Sequence, residues 1–150
     1  MKIEKILVPV GGTPLDDEVL ELACQIARQN RAAILISHVI EIERALPLEA
    51  ENTPQVQRAE DILERAEKIT RQHWKQVESD LLQARAAGAA LVDEAVERGV
   101  DLIIIGVPFR KKLGEIHLGT TTIYVMKNAP CRVLLWRQQA GDNAPDGKKK

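Results

Sequence analysis

Four short apolar runs punctuate the chain, at residues 6–10, 33–39, Leu102–Val107 and 133–136, and each is dominated by valine, isoleucine and leucine. Runs of this length are too short for helices. They are continuous rather than alternating, which suits strands covered on both faces, as in a parallel sheet. Helical spacing fills the intervals. Residues 16–29 place Val19, Leu20, Ala23, Ile26 and Ala27 on one face. Residues 55–73 carry Ala59, Ile62, Leu63, Ala66 and Ile69 in a longer, more polar helix. A third helix is expected over residues 89–98, ended by Gly99, and a fourth over Thr120–Asn128, stopped by Pro130. Val77, Leu81 and Leu82 give a weaker strand pattern across Val77–Ala84. The resulting β-α-β-α-β-α-β-α-β order predicts an α/β chain with a five-stranded parallel sheet and helices on both faces. Ligands of such sheets sit beyond the carboxyl ends of the strands.

Charge and composition narrow the function classes. Twenty-one basic residues against 22 acidic ones give a net charge of -1, without the basic excess that phosphate neutralisation needs. Trp74, Phe109, Tyr124 and Trp136 are too scattered for a base-stacking platform, so no nucleic-acid partner is expected. No apolar run approaches the ~20 residues of a membrane helix. The start, MKIEKILVPVGG, lacks the pattern of a signal peptide, and a cytoplasmic protein without a membrane partner is expected. Cys24 and Cys131 read as small buried hydrophobes rather than a disulfide framework. His38 reads as a packed or sheet-end residue. With His73 and His117 it offers no metal-ligand spacing, so no metal site is expected. Residues 41–53 form an acidic linker with the character of a flap. Residues 138–150 lack an apolar pattern and read as a disordered tail, leaving residues 1–137 as the single domain.

Two segments carry chemistry. In VPVGGTPLDD, Gly11 and Gly12 permit close backbone approach, and Thr13 before Pro14 reads as a helix N-cap. The segment from Gly106 to Thr122, GVPFRKKLGEIHLGTTT, leaves a buried strand and ends at a hydroxyl-rich helix start. Such a start holds anions through free N–H groups and the helix dipole, and Arg110, Lys111 and Lys112 add positive charge. A solvated basic loop before a threonine-capped helix is the plainer reading. No Ser-His-Asp or Cys-His set emerges from the spacing, so no catalytic residues are assigned. The first loop also misses the SGGxDS pattern of ATP pyrophosphatases. The strand ends lack the acidic residues of a response-regulator receiver.

KILVPV, SHVI, GVDLIIIG and LGTTTIYVMKNAPCRVLLWR, in this order and spacing, resemble the universal stress protein family over about residues 5–137. The resemblance implies a Rossmann-like fold of the adenine nucleotide α-hydrolase type, with strand order 3-2-1-4-5. It also implies a homodimer paired through Arg132, Val133, Leu134, Leu135 and Trp136, and a stress-response role. Nucleotide-binding members show a glycine, two residues, a glycine, nine residues, then glycine and Ser/Thr. Gly106, Gly119 and Thr120 match, while Phe109 replaces the middle glycine and Gly11 stands where an aspartate usually faces the ribose. The resemblance places adenine against Pro9, Val10 and Val39, and phosphates near Gly106, Gly119, Thr120 and Thr121. With Gly11, Thr13, Ile105 and Arg110 these form the candidate cofactor-binding set. The implied cofactor is ATP or AMP, with Mg²⁺ accompanying ATP, and at most slow ATP hydrolysis. Gly119-Thr120 and the basic loop favour adenine-nucleotide binding of a weak or altered kind, and the two departures favour the alternative, a nucleotide-independent interaction module of the same fold.

Overall fold

A computed structural model describes residues 1–47, 53–112, 115, 116 and 118–141. The elements follow the order β1 (Lys5–Pro9), α1 (Leu15–Asn30), β2 (Ala33–Glu41), α2 (Thr53–Arg71), β3 (Val77–Ala84), α3 (Ala87–Glu97) and β4 (Leu102–Val107). Two-residue strands β5 (Lys111–Lys112) and β6 (Glu115–Ile116) then pair antiparallel, before α4 (Thr120–Asn128) and β7 (Arg132–Arg137). The main sheet is five-stranded and parallel throughout, in the order β3-β2-β1-β4-β7. Counting only its own strands, that is the expected 3-2-1-4-5.

The continuous apolar runs are explained by two buried faces. Ile6, Val8, Ile34, Ile36 and Ile104 pack with Val19, Leu20, Ala23, Ile62 and Leu63 of α1 and α2. Leu7, Leu35, Ile103 and Ile105 pack on the opposite face with Leu91 of α3 and Val125 of α4. Neighbours in sequence thus feed opposite cores, and each fully buried Leu or Ile contributes about 1.5–3 kcal/mol. β7 differs. It lies at the sheet edge with alternating exposure, and Leu134 remains 36% exposed, so the expected two-sided burial is not met within one chain.

Local signals place the ends. α3 closes at Gly99, with the Val100 amide reaching back to the Ala95 carbonyl. Thr13 does not cap α1. The helix begins at Leu15 behind Pro14, without a side-chain cap. The Asp16 carboxylate in the first turn reaches back into the loop and accepts the amides of Gly11 at 3.2 Å and Gly12 at 2.7 Å, as charge-assisted hydrogen bonds. Gln138, assigned by sequence to the tail, is held: its amide donates to the Val107 carbonyl at 2.8 Å and its Oε1 accepts from the Phe109 amide at 3.4 Å. Residues 142–150 of that tail, and residues 48–52 of the acidic linker, lie outside the described residues.

One charged cluster carries a pH dependence. Arg98 at the end of α3 reaches Asp80 at 2.9 Å and Glu94 at 3.3 Å, and also pairs with Glu78. Burial first, then the hydrogen bond and charge of Asp80, push the Glu94 carboxyl up to about 7 against the opposing pull of Arg98. The folded state therefore holds this proton more tightly than the unfolded chain. Its contribution is full below the ordinary value of 4.5 and is lost as pH rises through about 7. Glu94→Gln is expected to stabilise the protein by about 1–2 kcal/mol at pH 8 and hardly at all at pH 4.5. Urea unfolding at the two pH values checks this, and equal gains at both would refute it.

Candidate functional site

The strand register opens a crevice. β1 pairs with β2 from Lys5 to Pro9, but with β4 only at Ile6↔Leu102 and Leu7↔Ile103. Beyond these pairs β1 and β4 separate. The chain also reverses its direction of travel across the sheet between them, which is where open α/β sheets bind ligands. A cavity of about 350 Å³ lies there, at the carboxyl ends of β1, β2 and β4 and the N-termini of α1, α3 and α4.

Eight members of the candidate set meet at its wall: Pro9, Val10, Gly11, Thr13, Val39, Ile105, Gly106 and Thr121. Leu91 adds apolar surface, and Asp16, Ser37, His38 and Thr122 add polar groups. Three members do not line it. Thr120 borders a smaller neighbouring cavity beside Ala86 and Tyr124. Arg110 is exposed just before β5. Gly119 stands before α4 with φ of +87°, a conformation that favours glycine, and aims the helix start at the crevice. Among the described residues no side chain caps α4, which leaves its first-turn amides and dipole for an anion.

Several roles differ from those the sequence suggests. A Cβ on Gly106 would lie 2.7 Å from Val19 Cγ2 and 3.1 Å from Leu15 Cγ, so this glycine lets β4 pack against α1. Gly11 does permit ligand approach in terms of space, since nothing lies within 4 Å of its notional Cβ. Its amide and that of Gly12, however, are taken by Asp16. Burial raises the Asp16 pKa, opposed by the amides of Gly12, Gly11 and Thr13 and reinforced by Asp17. Phe109 does not line the cavity. Its ring lies under the Arg137 guanidinium, 4.8 Å from centroid to Cζ, because the chain turns at Pro108 towards β7.

His38 lies within β2, one residue past the last pair with β1, and is a half-buried structural residue rather than a sheet-end one. Its Nδ1 sits 2.7 Å from the Val10 carbonyl, which only accepts, so Nδ1 carries the hydrogen and fixes the ring at the wall. Neither Asp16 nor Ser37 has a place in the candidate set read from the sequence. The signal for Ser37 was a hydroxyl inside an aliphatic strand.

A second cavity of about 350 Å³ lies between the first loop and α2, with Asp17, Arg58, Asp61 and Arg65 on its wall. Arg65 is paired with Asp17 at 2.8 Å. Burial raises both thiol pKa values, Cys24 and Cys131, so neither is an activated thiolate. Among the described residues, no group of three or more His, Cys, Asp or Glu is arranged to hold a metal. No helix among them is long and apolar enough to cross a membrane.

The universal stress protein family model matches residues 2–137. This chain belongs to the universal stress protein family. Universal stress protein MJ0531 of Methanocaldococcus jannaschii is 25% identical over 138 residues, covering 88% of this chain and 81% of that protein. The universal stress protein of Archaeoglobus fulgidus shares the fold at a TM-score of 0.76 and 22% identity, over 88% of this chain and 97% of its own. Its complex with dAMP gives 0.72 and 22%, over 90% and 98%. A family protein from Arabidopsis thaliana with AMP bound gives 0.67 and 17%, over 95% and 97%.

Proposed function

We infer that this universal stress protein binds an adenine nucleotide in the crevice between β1 and β4, and acts as a homodimeric regulatory module in a stress response. The cavity at the switch point carries the reading. Its volume of about 350 Å³ lies in the range of small-molecule sites. Its walls divide in character: Pro9, Val10, Val39 and Leu91 give apolar surface for a base, and Thr121 and Thr122 at the uncapped start of α4 suit a phosphate. Relatives of the same fold bound to dAMP and AMP support the ligand class. Homodimer formation draws support from the edge position of β7.

The nucleotide-independent reading rests on Asp16. Its carboxylate occupies the first-loop amides and sets negative charge on the cavity wall. Calorimetric titration with AMP, and with ATP and Mg²⁺, separates the two. The unmodified protein is expected to bind AMP at micromolar concentrations. Phe109→Gly should bind within about threefold of it, because a ring outside the cavity contributes little to ΔG. No heat from the unmodified protein with either nucleotide would leave the interaction module as the better reading.

A further inference from the structure

One residue lining the cavity carries a buried, unsatisfied hydroxyl. Ser37 is the middle residue of β2, opposite Pro9 at the carboxyl end of β1, and is fully buried. Its Oγ has no hydrogen-bond partner among the described residues, yet the residue lines the cavity. Leu35 and Val39, two positions away on either side, belong to the core beneath α3 and α4, so Ser37 shares that face beside Leu91. A buried hydroxyl without a partner costs stability, and such groups call for an explanation. An aliphatic side chain would fill this position without that cost.

We propose that Ser37 is a specificity-determining residue of this site, its hydroxyl kept unpaired by the protein in order to hydrogen-bond the polar edge of the bound base. The proposal rests on the adenine-nucleotide reading of the crevice. Ser37 shares its face of β2 with Leu35 and Val39 and lines the cavity with Leu91, the apolar surface that the nucleotide reading gives to the base, and the proposal therefore sets it against the base. A hydroxyl both donates and accepts, and therefore serves either an amino group or a ring nitrogen. It marks the base as polar-edged within an otherwise apolar slot.

The test combines AMP titration and ligand-free thermal unfolding of the unmodified protein and Ser37→Ala, with a crystal structure of the AMP complex. The two measurements are expected to move in opposite directions. Ser37→Ala should bind AMP about fivefold to tenfold more weakly, the loss of one hydrogen bond. Without ligand it should melt at the same temperature or up to about 4 °C higher, since the buried unpaired group is gone. The complex should place Ser37 Oγ within hydrogen-bond distance of a base nitrogen. If the unmodified protein binds AMP and Ser37→Ala binds within twofold of it, the proposal fails while the nucleotide reading stands. A lower melting temperature for ligand-free Ser37→Ala, or Oγ held only by a water that the base does not touch, assigns the hydroxyl to structure and overturns it. No AMP binding by the unmodified protein removes the nucleotide reading and this proposal with it.

Discussion

Gly106→Ala is expected to unfold about 1–3 kcal/mol more easily than the unmodified protein, and Gly106→Val more easily still. The added carbon would meet Val19 Cγ2 at 2.7 Å and Leu15 at 3.1 and 3.2 Å. Both neighbours are buried, at 2% and 8% exposure, and both belong to the core between α1 and the sheet. They cannot swing into solvent. The strain must go into moving α1 away from β4, or into bending β4, which is also held to β7 from Leu102 to Val107. Either shift deforms the crevice, so AMP binding should weaken with stability. Gly11→Ala is the matched control. Gly11 is exposed, no atom lies near its notional Cβ, and its φ lies outside the left-handed region. Its stability should stay within about 0.5 kcal/mol of the unmodified protein. Urea unfolding of the variants decides the matter, and equal midpoints for Gly106→Ala and the unmodified protein would remove the packing role.

The same glycine shows how far the sequence could be read. Gly106 matches the nucleotide-binding pattern in spacing, yet its missing side chain is explained by two contacts to α1, more than 80 residues away in the chain. Strands β1, β2 and β4 were legible because both faces are buried, and a run such as Leu102–Val107 has no other use in a soluble helix–sheet layer. β7 was legible as a strand from its apolar run, and as an edge only through the strand order 3-2-1-4-5 that the family resemblance implies. Its apolar residues are continuous in sequence, whereas the fold covers Val133 and Leu135 from one side and only partly covers Leu134 on the other. Edge position depends on strand order, which no local pattern encodes. The site divides in the same way. Pro9, Val10, Val39 and Thr121 could be assembled because strand ends and helix starts converge in any sheet of this type. Phe109 could not be assigned from its position alone. Its direction is set by Arg137 and Gln138, contacts that exist only once β7 is in place. Asp16 was legible only as part of the N-cap signal around Thr13-Pro14, because its reach back to the amides of Gly11 and Gly12 depends on how the loop folds over the first turn.

Leu134→Lys is expected to convert a dimer into a single chain. β7 ends the sheet, and among the described residues no strand pairs with its outer edge. Arg132, Leu134 and Trp136 share one face of this strand. Trp136 is fastened there, its indole N–H donating to Glu18 Oε2 at 2.5 Å, and it packs against the α1 core. Leu134 is the exposed apolar member of that face and is covered when a second β7 is laid alongside across a two-fold. In an isologous pair each substitution acts twice. Losing about 1.5 kcal/mol of apolar burial per copy amounts to roughly 3 kcal/mol, or about a hundredfold in the dimer constant. Light scattering on the unmodified protein should return twice the chain mass of 16.7 kDa, and Leu134→Lys should approach the single value at micromolar concentration. Trp136 is the poorer probe, because a charge there would also break its bond to Glu18 and loosen α1 within one chain. Val96→Lys, on α3 and 60% exposed, provides a surface control that should leave the mass doubled. A doubled mass for Leu134→Lys would move the dimer contact away from β7. A single-chain mass for the unmodified protein would leave Leu134 as an edge residue without a partner, and the gatekeeping lysine would then improve solubility rather than abolish assembly.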